Sequence, residues 1–191
     1  MGLVTCGSIL VDKDGECGIR IPRLNALTRE QVLKKLVLGN FLGSCSTVLI
    51  RTECFNTIGL FDESLLMSED WDIYFRIAGA YDVRSVELPL VRYRIHEGNF
   101  SACSAAINLE NELKFLKRVF SENSFKGGGV VKGHAVSNRY VSAAWAFAQS
   151  GDTRQARQCL IRILLNYPPA VFNRLVLAVA WSVFGAMRRN D

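Results

Sequence analysis

Three carboxylates stand together in Ser68-Glu69-Asp70-Trp71-Asp72. A carboxylate held at the start of a helix is fixed in position and stays ionised, as a general base requires. The same pentapeptide also reads as a plain helix start, with Ser68 at the N-cap and acids in the first turn, where backbone N–H groups point outward. Residue types alone leave both readings open. Asp72 and Arg76, four apart, share a helix face and can pair. Arg92, Arg94 and His96 alternate, so a strand turns them to one face and Val91, Tyr93 and Ile95 to the other. Such a face is ordinarily the solvated basic side of an edge strand. A neutral imidazole at His96 suits a divalent cation, and an imidazolium suits phosphate oxygens. Gly39-Asn40-Phe41-Leu42-Gly43-Ser44 lets backbone amides approach a phosphate or sugar closely, or forms an ordinary turn. In Gly59-Leu60-Phe61-Asp62-Glu63, Gly59 offers a turn, Leu60 and Phe61 anchor it, and Asp62 bonds its own loop.

The elements that must position these residues follow from periodicity. Leu3 to Val11 is apolar and β-branched and ends at Asp12-Lys13-Asp14-Gly15, a strand running into a turn. Thr28 to Leu38 has helical spacing, with Thr28 and Gln31 in capping-box positions. Ser46 to Arg51 is a short β-rich run, and a helix is expected from Ser68 to Gly79. Val83 to Val86 and Leu90 to Ile95 read as two strands, with Pro89 before the second. Beyond about Ser101 the pattern is helical only. Helices are expected over Ile107 to Phe120, Tyr140 to Gln149, Thr153 to Asn166 and Ala170 to Met187, with a flexible break at Lys126-Gly127-Gly128-Gly129. The helices about Gly151-Asp152 resemble one tetratricopeptide-type hairpin, which alone is not an array and is expected to pack against the neighbouring domain.

Nearly half of the 191 residues are hydrophobic and a fifth are charged, a globular composition with a modest net charge of +5. The charge is spread out, and no nucleic-acid partner is expected. Six cysteines at wide intervals with two histidines lack zinc-ligand spacing. They read as reduced, mostly buried thiols of a cytoplasmic protein. Met1-Gly2-Leu3-Val4-Thr5 lacks the basic region of a signal peptide. His134 matches no motif and is expected at the surface.

Gly59 to Glu63, Ser68-Glu69-Asp70 and Tyr93-Arg94-Ile95-His96, in this order, resemble the acceptor-side half of an inverting family 2 glycosyltransferase. The resemblance implies a partial GT-A, Rossmann-like α/β fold with a mixed sheet over residues 1–101, followed by an all-helical region over 102–191. It implies transfer of a sugar from a nucleotide sugar to a glycan or lipid-linked acceptor hydroxyl by single displacement. Asp70 would be the base and Glu69 would shape the acceptor site. His96, with Arg94, Arg92 and Gly43, would meet the donor diphosphate, and His96 the metal, Mg or Mn in the complete family. Gly59, Asp62, Asp72 and Arg76 would give structural support, and Asn99 and Ser101 extend the match. The family's nucleotide-binding βαβ units and its Asp-x-Asp metal motif have no counterpart here. Asp12-Lys13-Asp14 has the spelling but reads as a turn. An incomplete chain, completed by a missing N-terminal half, is therefore the expectation.

A second reading makes the chain a non-catalytic helical adaptor. A third concerns Leu175 to Met187, an apolar stretch shorter than the roughly 20 residues that span a bilayer. Followed by Arg188-Arg189, it suits either a buried core helix or peripheral contact with the inner, anionic membrane face.

Overall fold

The computed structural model describes residues 1–96, 98–99, 104–121, 125 and 127–185, the last two without side chains. Ser101, Cys103, Lys126, Met187, Arg188 and Arg189 lie outside the described residues. The chain divides into two compact units, Met1–Cys103 and Ser104–Asp191.

The first unit is built on β1 (Leu3–Asp12). Asp12 Oδ1 accepts from the Asp14 amide at 2.8 Å and turns the chain straight into β2 (Gly15–Arg20). Asp12-Lys13-Asp14 is therefore a hairpin turn. β2 went unseen in the sequence because Gly-Glu-Cys-Gly lacks an apolar alternation and the strand is largely exposed. β2 and the short β3 (Val48–Ile50) pair antiparallel with opposite ends of β1, while β4 (Val83–Arg94) runs parallel along it. The sheet is mixed, and the fold is α/β.

β4 is one strand where two were expected. Pro89 sits opposite Gly7 at a register irregularity, where the missing N–H breaks no regular ladder bond. Asn25 extends the sheet's bonding on β4: its side chain accepts from the Ser85 amide at 3.0 Å and donates to the Ser85 carbonyl at 2.9 Å.

Three helices complete this unit. α1 (Arg29–Leu38) starts on the expected capping box of Thr28 and Gln31. α2 (Cys54–Ile58) is a single turn that the sequence did not announce. α3 (Glu69–Ala80) buries Trp71, Ile73, Tyr74, Phe75, Ile77 and Ala78. The Trp71 indole N–H donates to the Leu36 carbonyl at 2.7 Å, fixing the start of α3 against the last turn of α1.

The described part of the second unit is helical throughout: α4 (Ala105–Ser121), α5 (Gly128–Gln149), α6 (Thr153–Asn166), a 3-10 turn (Pro168–Phe172) and α7 (Arg174–Gly185). α5 begins twelve residues before its expected start at Tyr140, across Gly129 and Gly133. Gly133 has a packing reason: a Cβ there would lie 2.2 Å from the Asn166 carbonyl oxygen, so the end of α6 can approach α5 only over a glycine. His134, expected at the surface, stacks on Tyr167 with ring centroids 4.6 Å apart. α5 and α6 form the expected hairpin, and Val141, Ala144, Ala156 and Ile163 share a core with Val176, Val179 and Val183 of α7. The last helix opens at Arg174 rather than Ala170, because Asn173 leaves helical geometry and its Oδ1 accepts from the Leu175 amide at 2.8 Å.

Candidate active site

Ser68 occupies the position before α3, but its side chain makes no cap hydrogen bond. Its backbone is left-handed, at φ 67° and ψ 16°, and it is the only described non-glycine residue with positive φ. A residue without special need avoids that conformation, which costs on the order of 1 kcal/mol. The strain sits immediately before Glu69 and Asp70.

The three carboxylates of the first turn have separate environments. Asp72 faces inward and is 1% exposed. Arg76, one turn on, grips it through Nε at 2.9 Å and Nη2 at 2.8 Å. The other side of the same guanidinium reaches back to α2 and the loop after it, donating to the carbonyls of Ile58, Gly59 at 3.4 Å and Leu60 at 2.8 Å. Gly59 has φ 76°, which glycine alone adopts without strain. Asp62 accepts from the Ser64 amide at 3.0 Å and its hydroxyl at 2.7 Å. Gly59, Asp62, Asp72 and Arg76 thus belong to one brace that ties the Gly59–Glu63 loop to α3. Leu60, expected as an anchor, is exposed, and Phe61 instead packs its ring 6.1 Å from Phe55.

Asp70 is different in kind. Its Oδ1 accepts from the Trp71 amide at 2.6 Å, and its carboxyl pKa is pushed up to about 6, chiefly by burial. The charge on Glu69 pushes in the same direction, while the Trp71 amide and the Asn40 side chain oppose it. A carboxylate that titrates near 6 is a stronger proton acceptor than an ordinary aspartate and is still ionised at neutral pH.

The Gly39–Ser44 loop supplies that Asn40. Asn40 also organises its own loop, accepting from the Leu42 amide and donating to the Gly43 carbonyl, each at 3.2 Å. Thr5 of β1 holds the Leu42 carbonyl at 2.8 Å. Gly43 has φ 103°, and a Cβ there would meet Thr47 Oγ1 at 2.8 Å, so the loop itself demands glycine. Past the loop, the Cys45 thiol interacts with the Tyr74 side chain, and the charges of Asp70 and Glu69 reach both groups. Burial and these carboxylates raise the thiol pKa and hold Tyr74 far above the ordinary phenol range. Among the described residues, the buried Ser44 hydroxyl has no hydrogen-bond partner. Asn40, Cys45 and Tyr74 were missed as site residues. Tyr74 was findable, since it lies one helical turn from Asp70 and shares its face.

The basic strand face is served elsewhere. Arg92 pairs with Glu16 of β2 at 2.7 Å, with both side chains exposed. Arg94 ends β4, and His96 lies in a turn closed by Asn99, whose side chain accepts from the His96 amide at 3.2 Å and donates to the Arg94 carbonyl at 3.0 Å. β1 gives the scale: Thr5 anchors the loop beside Asp70, while Val11 pairs with Arg94 and accepts from the Ile95 amide. From Thr5 to Val11 the strand covers roughly 20 Å at about 3.3 Å per residue. Asp70, Glu69 and the Gly39–Ser44 loop come together at the start of α3, and Arg94 and His96 lie at the turn that follows β4.

Among the described residues, no group of three or more His, Cys, Asp or Glu side chains is placed to hold a metal ion. His96, expected to meet a metal, belongs to no such group. The five described cysteines are unpaired; Cys54 and Cys159 are buried, whereas Cys17 and Cys45, expected mostly inside, are exposed.

A half-buried carboxylate with a raised pKa at a braced helix start within an α/β fold is the kind of site a group-transfer enzyme uses. Residues 13–155 match the family described as Glycosyltransferase like family 2, and the chain belongs to that family. The match begins at Lys13, within the β1–β2 turn, and continues to Gln155 in α6, well past the limit near residue 101 expected from the motifs. A Rickettsia bellii (strain RML369-C) protein carrying the name "Uncharacterized glycosyltransferase" is 27% identical over 176 residues, which cover 88% of this chain and 25% of that protein. The chain therefore spans about a quarter of that relative's length. No solved structure matches the chain.

Proposed function

We propose that Asp70 is the general base of a sugar transfer to an acceptor hydroxyl, drawing on a nucleotide-sugar donor and proceeding with inversion. The Asp70 carboxylate takes the proton from the acceptor O–H as that oxygen bonds to the anomeric carbon. The bond from that carbon to the phosphate oxygen breaks, and the nucleoside diphosphate leaves with the electron pair. Family membership supports the reaction class. The observation that carries the residue is the elevated carboxyl pKa of Asp70, at a helix start braced by Asp72 and Arg76. Burial keeps that pKa high, the Glu69 charge adds to it and the Asn40 side chain bonds the carboxylate; Glu69 and Asn40 border the acceptor position in this reading. Charge that develops on the leaving diphosphate needs donors of its own. Arg94 and His96 are proposed for that role when further residues of a complete transferase bring a donor to them. The reading makes this chain the acceptor-side part of the catalytic apparatus.

The test is a transfer assay on the chain fused to a donor-binding segment from a family 2 transferase. Asp70→Asn keeps the shape and one hydrogen-bond acceptor but removes the basic lone pair, so turnover should fall about 10²–10⁴-fold. Donor affinity should stay within about twofold, since binding does not draw on the basic lone pair. Transfer at the wild-type rate by the variant would remove Asp70 as the base.

A further inference from the structure

The second unit contains a surface unlike the rest of the chain. Between Asp152 and Asp191 there is no acidic residue, while arginine stands at 154, 157, 162, 174, 188 and 189. A helix packed on one side ordinarily presents a polar outer face. α7 does not. Its inner stripe, Val176, Val179 and Val183, enters the core, and its outer stripe is Arg174, Leu177, Ala178 and Trp181. Trp181 is 79% exposed. On α6, Ile161 and Leu165 point outward along with Arg154 and Arg162, Leu165 being 72% exposed. The 3-10 turn joining the two helices holds out Phe172, 85% exposed. Along the described part of α6, the 3-10 turn and α7, large apolar side chains project outward and every charged side chain is an arginine.

We propose that this surface docks peripherally on an anionic bilayer, with Phe172 and Trp181 in the headgroup region and Arg162 and Arg174 on lipid phosphates. No helix among the described residues is long and apolar enough to cross a membrane, so the contact is interfacial. Charge separates this occupant from others. A second copy of the chain would bring arginines against arginines, and protein interface rims ordinarily mix both signs around the apolar centre. A phosphate-rich surface complements these arginines. The expected core helix accounts for one stripe of α7, and the proposal gives the opposite stripe its role.

The experiment is flotation of the full chain with vesicles of phosphatidylcholine, alone or mixed with phosphatidylglycerol. Binding is expected to the anionic vesicles and to weaken as salt is raised. Phe172→Ser with Trp181→Ser should lower the bound fraction about tenfold or more. Arg162→Gln with Arg174→Gln should weaken binding and flatten its salt dependence. Should a variant lose its helical circular dichroism, the wild-type chain still decides: lipid-borne quenchers should quench Trp181 emission, obtained by difference from Trp181→Phe. Absence of flotation with anionic vesicles would overturn the proposal. So would equal binding to both vesicle types, or a doubled mass in sedimentation that the aromatic substitutions abolish without any vesicle binding.

Discussion

Replacing Asp70 with asparagine separates the two readings of the carboxylate cluster by the sign of a stability change. If Asp70 served only the helix start, removing its charge would cost the favourable interaction with the helix dipole, about 0.3–1 kcal/mol. The environment found here gives the opposite expectation. The carboxyl titrates near 6 in the folded chain, against an ordinary value of 3.8. That displacement, at about 1.4 kcal/mol per pH unit, amounts to roughly 3 kcal/mol by which ionised Asp70 destabilises the fold. Because the folded pKa is raised, the acid form contributes no penalty below about pH 4, where folded and unfolded chains both hold the proton. The penalty grows as pH rises from about 4 to 6 and is complete above that. Asp70→Asn should therefore match the wild type near pH 4 and exceed it by up to about 3 kcal/mol above pH 7, equivalent to roughly 12–24 °C in Tm for a unit of about 100 residues. Thermal melts followed by circular dichroism at closely spaced pH values measure this directly. A variant that is less stable than the wild type at pH 7, or a difference that does not change between pH 4 and 7, would refute the buried-base environment and leave the segment as a helix start.

Arg76→Met should destabilise the first unit by about 3–5 kcal/mol, because it withdraws the guanidinium from the buried Asp72 carboxylate, whereas Asp72→Asn should be milder; chemical denaturation compares them. Gly133→Ala should lower stability by about 1–3 kcal/mol and loosen the α5–α6 pair, because its Cβ would fall on the Asn166 carbonyl; amide exchange along α6 reads the change, and unaltered protection would contradict it. The isolated chain should bind uridine, guanosine or thymidine diphosphosugars very weakly or not at all, since Arg92 is engaged with Glu16 and leaves the basic face of β4 partly neutralised. Micromolar affinity by calorimetry would show that these residues form a donor site unaided.

Elements whose signal is local were legible in the sequence. The capping box of Thr28 and Gln31, the turn at Asp12 and the Gly151-Asp152 hairpin each reside in a few adjacent residues, and each appeared where expected. What failed depends on partners far along the chain. Pro89 looked like a strand break, but opposite Gly7 in a parallel pair it interrupts little. The glycines before Tyr140 looked like a flexible break, because only the fold reveals that Gly133 faces a carbonyl thirty-three residues later.

The same division runs through the candidate site and explains which of its features a sequence can carry. Glu69, Asp70, Asp72 and Arg76 were all legible, because one helix turn sets their spacing. Their different fates were not. Asp72 and Asp70 are two residues apart on α3, so the helix turns one toward the core and the other toward the Gly39–Ser44 loop. An inward carboxylate needs a cation, and Arg76 supplies it. Asp70 is desolvated with no cation beside it among the described residues, so burial raises its pKa and the Asn40 amide offsets only part of the rise. That contrast depends on Thr5 holding the Leu42 carbonyl and Trp71 holding the Leu36 carbonyl, two long-range bonds that no local motif encodes. Basicity at Asp70 is thus a property of loop placement, and substitutions at Thr5 or Trp71, neither of them ionisable, should lower its pKa toward that of an ordinary aspartate by letting water reach it.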